Sequence, residues 1–121
     1  AYEKAISLDP RNGDAYNNLA WVHLHLPEGP ETARKLAEKA LSLTPDHRPY
    51  YLDTLGVALL RLGKPAEAIV IIRESIASLP MDTPEFAAEA YEHLEEACRA
   101  AADTACAAVA EIKAQELRNR R

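Results

Sequence analysis

One Phe, one Trp, one Met and four Gly are all that a chain of 121 residues offers of these types. So few large rings exclude a core filled by stacked aromatics, and the scattered glycines form neither a phosphate-cradling loop nor a nucleotide-binding fingerprint. The two cysteines, Cys98 and Cys106, are too few for a disulfide framework and lack the paired spacing of a zinc site, so they read as small buried residues. Basic residues are outnumbered, 14 Lys and Arg against 19 Asp and Glu, and the net charge of -5 argues against nucleic acid or an anionic membrane as the main partner. No run approaches the roughly 18 apolar residues of a membrane span. The first residues also lack a signal peptide's basic start and apolar run. Because the chain reads as starting inside a structural unit, that last absence leaves the compartment open, with a slight lean to the cytoplasm.

What is present is alanine and leucine, in a chain 48% hydrophobic and 27% charged. Both residues favour helix, and a core rich in them is made by close helix approach. Self-comparison then finds a period. Pro10, Pro45 and Pro80 recur every 35 residues, and Ala5, Ala40 and Ser75 keep the same interval, as do Tyr2, Ala37 and Ile72. Tyr16 and Leu19-Ala20 recur one residue later, as Leu52 and Leu55-Gly56, a shift that a loop absorbs.

Each unit reads as an antiparallel helical pair. After Pro10, Asn12-Gly13-Asp14 supplies a turn, with Asp14 as the expected cap, and Tyr16, Leu19, Ala20 and His23 form an inward stripe. Pro27-Glu28-Gly29-Pro30 ends that helix, and Pro30 starts the next, which carries Ala33, Leu36, Ala37, Ala40 and Leu41 inward and stops before Pro45. The second unit repeats the plan: Leu52, Leu55, Gly56 and Leu59 stripe one helix, Gly63 takes a left-handed ending, and Pro65 starts a partner carrying Ala68, Ile69, Ile72 and Ile76. Gly56 costs about 1 kcal/mol of helix propensity relative to Ala, so its expected use is close backbone approach.

After Pro84 there is no further Gly or Pro. The segment permits a last hairpin or one long helix. Aligning Leu55 with Leu94 favours the hairpin, with its turn near Ala102-Asp103-Thr104 and Asp103 as cap. The cysteines discriminate: in one helix, residues eight apart lie about 12 Å apart along the axis, too far for a disulfide, whereas a hairpin brings them together.

Leu52, Leu55-Gly56, Leu59, Ala68, Ile72 and Pro80 resemble the tetratricopeptide repeat, and Tyr16, Leu19-Ala20, His23, Ala33, Ala37, Ala40 and Pro45 match it again. The resemblance implies an all-α, right-handed α-solenoid of about three and a half repeats. Residues 1–10 would be the second helix of a truncated repeat, 13–45 and 49–80 complete repeats, and 84–119 an atypical terminal repeat or cap. It also implies a concave groove lined by the first helices, binding a peptide or partner domain. Carried over residue by residue, Asp14, Asn17 and Trp21, then Tyr50, Asp53 and Val57, then Glu89, Glu92 and Glu96 line that groove, with Leu24, His25, Leu60, Arg61 and Arg99 extending it.

In that reading Trp21, Tyr50, Val57 and Leu60 are apolar anchors in an acidic field, suiting a basic, partly apolar segment, and Tyr50→Ala and Trp21→Ala weaken binding while sparing helicity. The plainer alternative has both rings packed between repeats and the carboxylates merely solvated. Clamping of an acidic chaperone tail, as in one subfamily, is disfavoured: Asn18 matches, but the expected cations fall on Tyr50 and Thr54. His23 and His25, two apart, point to different sides of a helix, and Cys98 has no base aligned with it, so no enzyme, metal site or cofactor is expected. The terminal Arg118, Arg120 and Arg121 suit a helix C-terminus. Competing with groove binding are self-association of a longer array through an open N-terminal edge, giving a homo-oligomer, and an accessory role beside a catalytic domain.

Overall fold

The computed structural model describes residues 2–80 and 82–119. Seven helices follow in order: α1 (Tyr2–Leu8), α2 (Gly13–Leu24), α3 (Pro30–Leu43), α4 (Arg48–Arg61), α5 (Pro65–Ala77), α6 (Pro84–Ala100) and α7 (Thr104–Arg118), with a 3₁₀ turn at Pro45–His47. No strand occurs among the described residues. Four of the helices, α3 to α6, have a proline in their first turn, where its missing N–H is no loss and its fixed φ suits the helix.

Each helix packs on the next, so α2 with α3, α4 with α5 and α6 with α7 form hairpins and the hairpins stack. The first helices also meet one another, α2 with α4 and α4 with α6. They therefore form the inner rank of a helical solenoid. The middle helix α4 is enclosed along its central stretch: every residue from Tyr51 to Leu59 is buried.

Alanine sets the spacing. Ala20, Ala33, Ala37, Ala40, Ala58 and Ala68 are all at 0% exposure, and such short side chains let helix axes approach closely. Gly56 extends the device. A Cβ there would land on the fully buried Ile72 side chain, 3.1 Å from its Cδ1, so α4 and α5 touch where the glycine sits. Buried Ser75 ties the same two helices, its Oγ donating to the Pro49 carbonyl at 2.5 Å. Tyr16, Leu19 and His23 are only half-buried, while Ala20 and Leu24 carry the buried face of α2. Leu24, expected on the groove surface, is part of the core with Ala33, Val57 and Ala58.

The segment after Pro84 is a hairpin, and its turn copies the one between α4 and α5. Gly63 lies in the left-handed region at φ 77° and Ala102 at φ 60°. In each turn the following amide closes onto the carbonyl five residues back, Lys64 N to Leu59 O and Asp103 N to Cys98 O, both at 2.9 Å. Asp103 then caps α7, accepting from the Cys106 amide at 3.0 Å. At the start of α2 the expected cap is corrected: Asn12, whose Oδ1 accepts from the Ala15 amide at 3.1 Å, is the capping residue. Asp14 lies inside the first turn. Its carboxylate is instead drawn toward α4.

The cysteines also depart from expectation. Cys98 is a small buried residue, but it is joined to half-buried Cys106 in a disulfide, their Cα atoms 5.6 Å apart. The hairpin brings α6 and α7 side by side across a turn of three residues, and this is what makes the bond possible.

Candidate functional site

The inner rank of helices is where the sequence places a groove, and each side chain there is set by the helix it leaves. On α2, Asp14 is exposed yet engaged: its Oδ1 accepts from the Tyr51 hydroxyl at 2.5 Å and lies 2.8 Å from His47 Nδ1. Burial raises its pKa, but the bonds to Tyr51 and His47 outweigh that and hold the carboxyl below its ordinary range. Burial, reinforced by the Asp14 bond, pushes the Tyr51 hydroxyl well above a normal phenol. This cluster fastens the second hairpin to the first.

One turn further along α2, Asn17 is half-buried and its Oδ1 is a buried acceptor with no hydrogen-bond partner among the described residues. Trp21 follows. It packs against the Val57 and Ala58 cluster and meets the His93 ring of α6 with centroids 6.0 Å apart. Trp21 and His93 thus reach toward each other from α2 and α6 across α4.

That contact corrects the expectation for α4. Asp53, at 1% exposure, and Val57, also at 1%, do not form an open groove wall. Asp53 is instead the partner of His93, whose Nδ1 lies 2.9 Å from Oδ1 and 3.0 Å from Oδ2. The physical reason is position: with neighbours in both ranks, the stretch Tyr51 to Leu59 of the middle helix has no solvent-facing side left. Leu60 packs against the main core cluster. Tyr50 is half-buried against Phe86 of α6, an edge-to-face pair at 4.5 Å. Both aromatic anchors are therefore interhelical packing residues, with only a flank of each exposed.

On α6, Glu89 and Glu96 are exposed, about one turn before and one turn after the half-buried His93. Burial lowers the His93 pKa, but the hydrogen bond and charge of Asp53, with the charges of Glu96 and Glu89, outweigh it and raise the imidazole above its ordinary value. Glu92 is half-buried and already paired with Arg118 of α7. A polar hollow of about 540 Å3 opens at the α4 end, walled by Arg61, His93 and Glu96 with Glu92, Glu95 and Arg99.

Sequence reasoning missed His93 and Phe86. His93 occupies the same repeat column as Asn18 and Thr54, one step around the helix from the groove set, and a buried carboxylate in the neighbouring column is the signal that a histidine there has a partner. Asn18 and His25 are exposed. Among the described residues no group of three His, Cys, Asp or Glu side chains is placed to hold a metal, and no helix is long and apolar enough to cross a membrane.

Two comparisons bear on the identity of this arrangement. Residues 1–35 match the family model described as Tetratricopeptide repeat. Over 48 residues, 40% of the chain, the sequence is 46% identical to Protein O-mannosyl-transferase TMTC3 of Homo sapiens. The match spans 5% of that protein's length.

Proposed function

We propose, proceeding from a chain whose residues 1–35 match the tetratricopeptide repeat model and whose hairpins stack as a helical solenoid, that its inner rank receives an extended, basic and partly apolar protein segment and that it does so without chemistry. Repeats of this family generally mediate protein–protein interaction; the groove and the chemistry of its occupant are the proposal. The observation that carries it is the Trp21–His93 contact at 6.0 Å. It brings α2 and α6 to one side of α4, so the unpartnered Asn17 Oδ1, one turn before Trp21, shares a face with Glu89 and Glu96. An unmet buried acceptor favours an incoming N–H donor, and two exposed carboxylates favour a cation beside it. The exposed flanks of Trp21 and Tyr50 supply apolar contact. A stack of packed hairpins is already ordered, so little is lost to receptor rearrangement on binding.

Trp21 is the single tryptophan, and its fluorescence reports on this face directly. Titration with short peptides carrying Lys or Arg beside Leu gives a saturable change that weakens with salt and is lost in the Glu89→Lys/Glu96→Lys variant, whose helicity by circular dichroism stays unchanged. Equal binding of acidic peptides, or no saturable change with any basic one, overturns the reading.

A second reading rests on Leu8, 77% exposed on α1. Self-association through this edge makes the mass by light scattering rise with concentration, and Leu8→Glu reverses it. The relative's name, a transferase, supports an accessory role beside a catalytic domain in a longer protein; the repeats alone then show no transferase activity.

A further inference from the structure

The disulfide at the end of the stack is asymmetric in every respect that governs sulfur reactivity. Cys98 is at 0% exposure, inside the main core cluster with Leu94, Ala97, Ala107 and Ala110 of α6 and α7. Cys106 is half-buried and forms part of the wall of a groove of about 490 Å3 between α5 and α7, a groove whose walls do not include Cys98. The Arg73 guanidinium of α5 donates to Cys106 Sγ at 3.3 Å. Cys106 also sits in the first turn of α7, its own amide held by the Asp103 cap. A cationic neighbour and a helix N-terminus both favour a thiolate over a thiol, whereas apolar burial favours the thiol. Opposing them on the same side is the Asp103 carboxylate, already engaged by the Cys106 amide. On α6, Arg99 is turned to Glu95 and Glu111, and Tyr91 is that helix's titratable wall residue.

We infer that Cys98 and Cys106 form a thiol–disulfide exchange site for small-molecule disulfides, with Cys106 the attacking sulfur and Cys98 the resolving one. In the dithiol state the Cys106 thiolate attacks one sulfur of the incoming disulfide in the groove, forming a mixed disulfide and releasing one thiolate, which takes a proton from solvent. Cys98 then loses its proton to solvent and its sulfur attacks Cys106 Sγ, expelling the second small thiol and closing the bond seen in the structure. The protein dithiol is oxidised by two electrons and one small disulfide is reduced to two thiols. The roles are not interchangeable, because only Cys106 reaches the groove. This site is independent of the inner rank and does not rest on peptide binding there.

Oxidised glutathione is the probe, added to reduced protein freed of reductant. Wild type passes to the internal disulfide without a lasting adduct, while Cys98→Ser accumulates one glutathionyl group at Cys106 by intact mass. In Cys98→Ser the pH midpoint for alkylation by iodoacetamide falls below the roughly 8.5 of an unperturbed thiol, and Arg73→Met raises it and slows adduct formation several-fold at neutral pH. Circular dichroism checks the fold, and Cys98→Ala replaces Cys98→Ser if the serine disturbs the core. A midpoint at or above roughly 8.5, no effect of Arg73→Met, or faster reaction at Cys98 in Cys106→Ser than at Cys106 in Cys98→Ser overturns the assignment.

Discussion

His93 on α6 and Asp53 on α4 form a bridge between neighbouring hairpins, with Nδ1 at 2.9 and 3.0 Å from the two oxygens of a carboxylate that is 1% exposed. A carboxylate this deep needs its partner, and the partner is worth most when charged. The His93 pKa is raised, mainly against the opposing pull of burial, by Asp53. A raised folded value means that the charged pair contributes in full below the unfolded histidine's pKa of about 6.5 and loses its contribution as pH climbs through the folded value. The difference in Tm between wild type and His93→Gln is therefore expected to be widest just below pH 6.5 and to narrow toward alkaline pH. A constant difference across that range refutes the linkage.

Two glycines are expected to resist alanine for different reasons. At Gly56 a Cβ meets the Ile72 side chain, so Gly56→Ala costs about 1–3 kcal/mol and is partly rescued by Ile72→Val, which gives up volume at that contact. At Gly29 a Cβ runs into the backbone carbonyl of His23. Backbone cannot step aside as a side chain does, and Gly29→Ala is expected to be the costlier change, with no single side-chain rescue. Urea midpoints of the three variants decide this.

The last turn offers the opposite case. Ala102 holds φ 60° where its counterpart is Gly63 at φ 77°, and an L side chain in the left-handed region is strained. Ala102→Gly is expected to stabilise the protein by about 0.5–1 kcal/mol, and Gly63→Ala to destabilise it by a similar amount. Thermal unfolding of the pair, against wild type, gives both signs.

Trp21 fastens α2 to the Val57 cluster and to His93. Removing so large a half-buried side chain leaves a void, and Trp21→Ala is expected to cost about 2–4 kcal/mol as well as any binding. Trp21→Phe, which keeps the packing body, is expected to restore most of the stability. If Trp21→Ala leaves the denaturation midpoint unmoved, the ring is a surface anchor after all.

The helical pairs were legible because punctuation and periodicity are local: Pro30 and Pro65 begin helices, Pro45 follows one, and Gly63 turns left-handed where a helix must end. The turn at 101–103 was legible from repeat alignment, and Asp103 does cap α7. The groove was less so. Spacing places Asp53, Val57 and Glu92 on the same helical face as Tyr50 and Glu89, but a face is open only if no neighbour covers it. Asp53 met His93, Val57 met Trp21's cluster, and Glu92 was claimed by Arg118 from another helix.

By itself the sequence determined the all-helical class, the hairpin unit and its repetition, since these follow from propensity, capping and a stripe that each helix must bury. Tertiary structure decided which polar groups are partnered and which sulfur is exposed. Those depend on residues 40 positions apart, as for Asp53 and His93, or on a third helix, as for Arg73 beside Cys106. No local pattern encodes how closely the helices of a stack approach, and it is the approach of α2 to α6 across α4, seen in the Trp21–His93 contact, that leaves Asp53 and Val57 buried while Glu89 and Glu96 stay exposed.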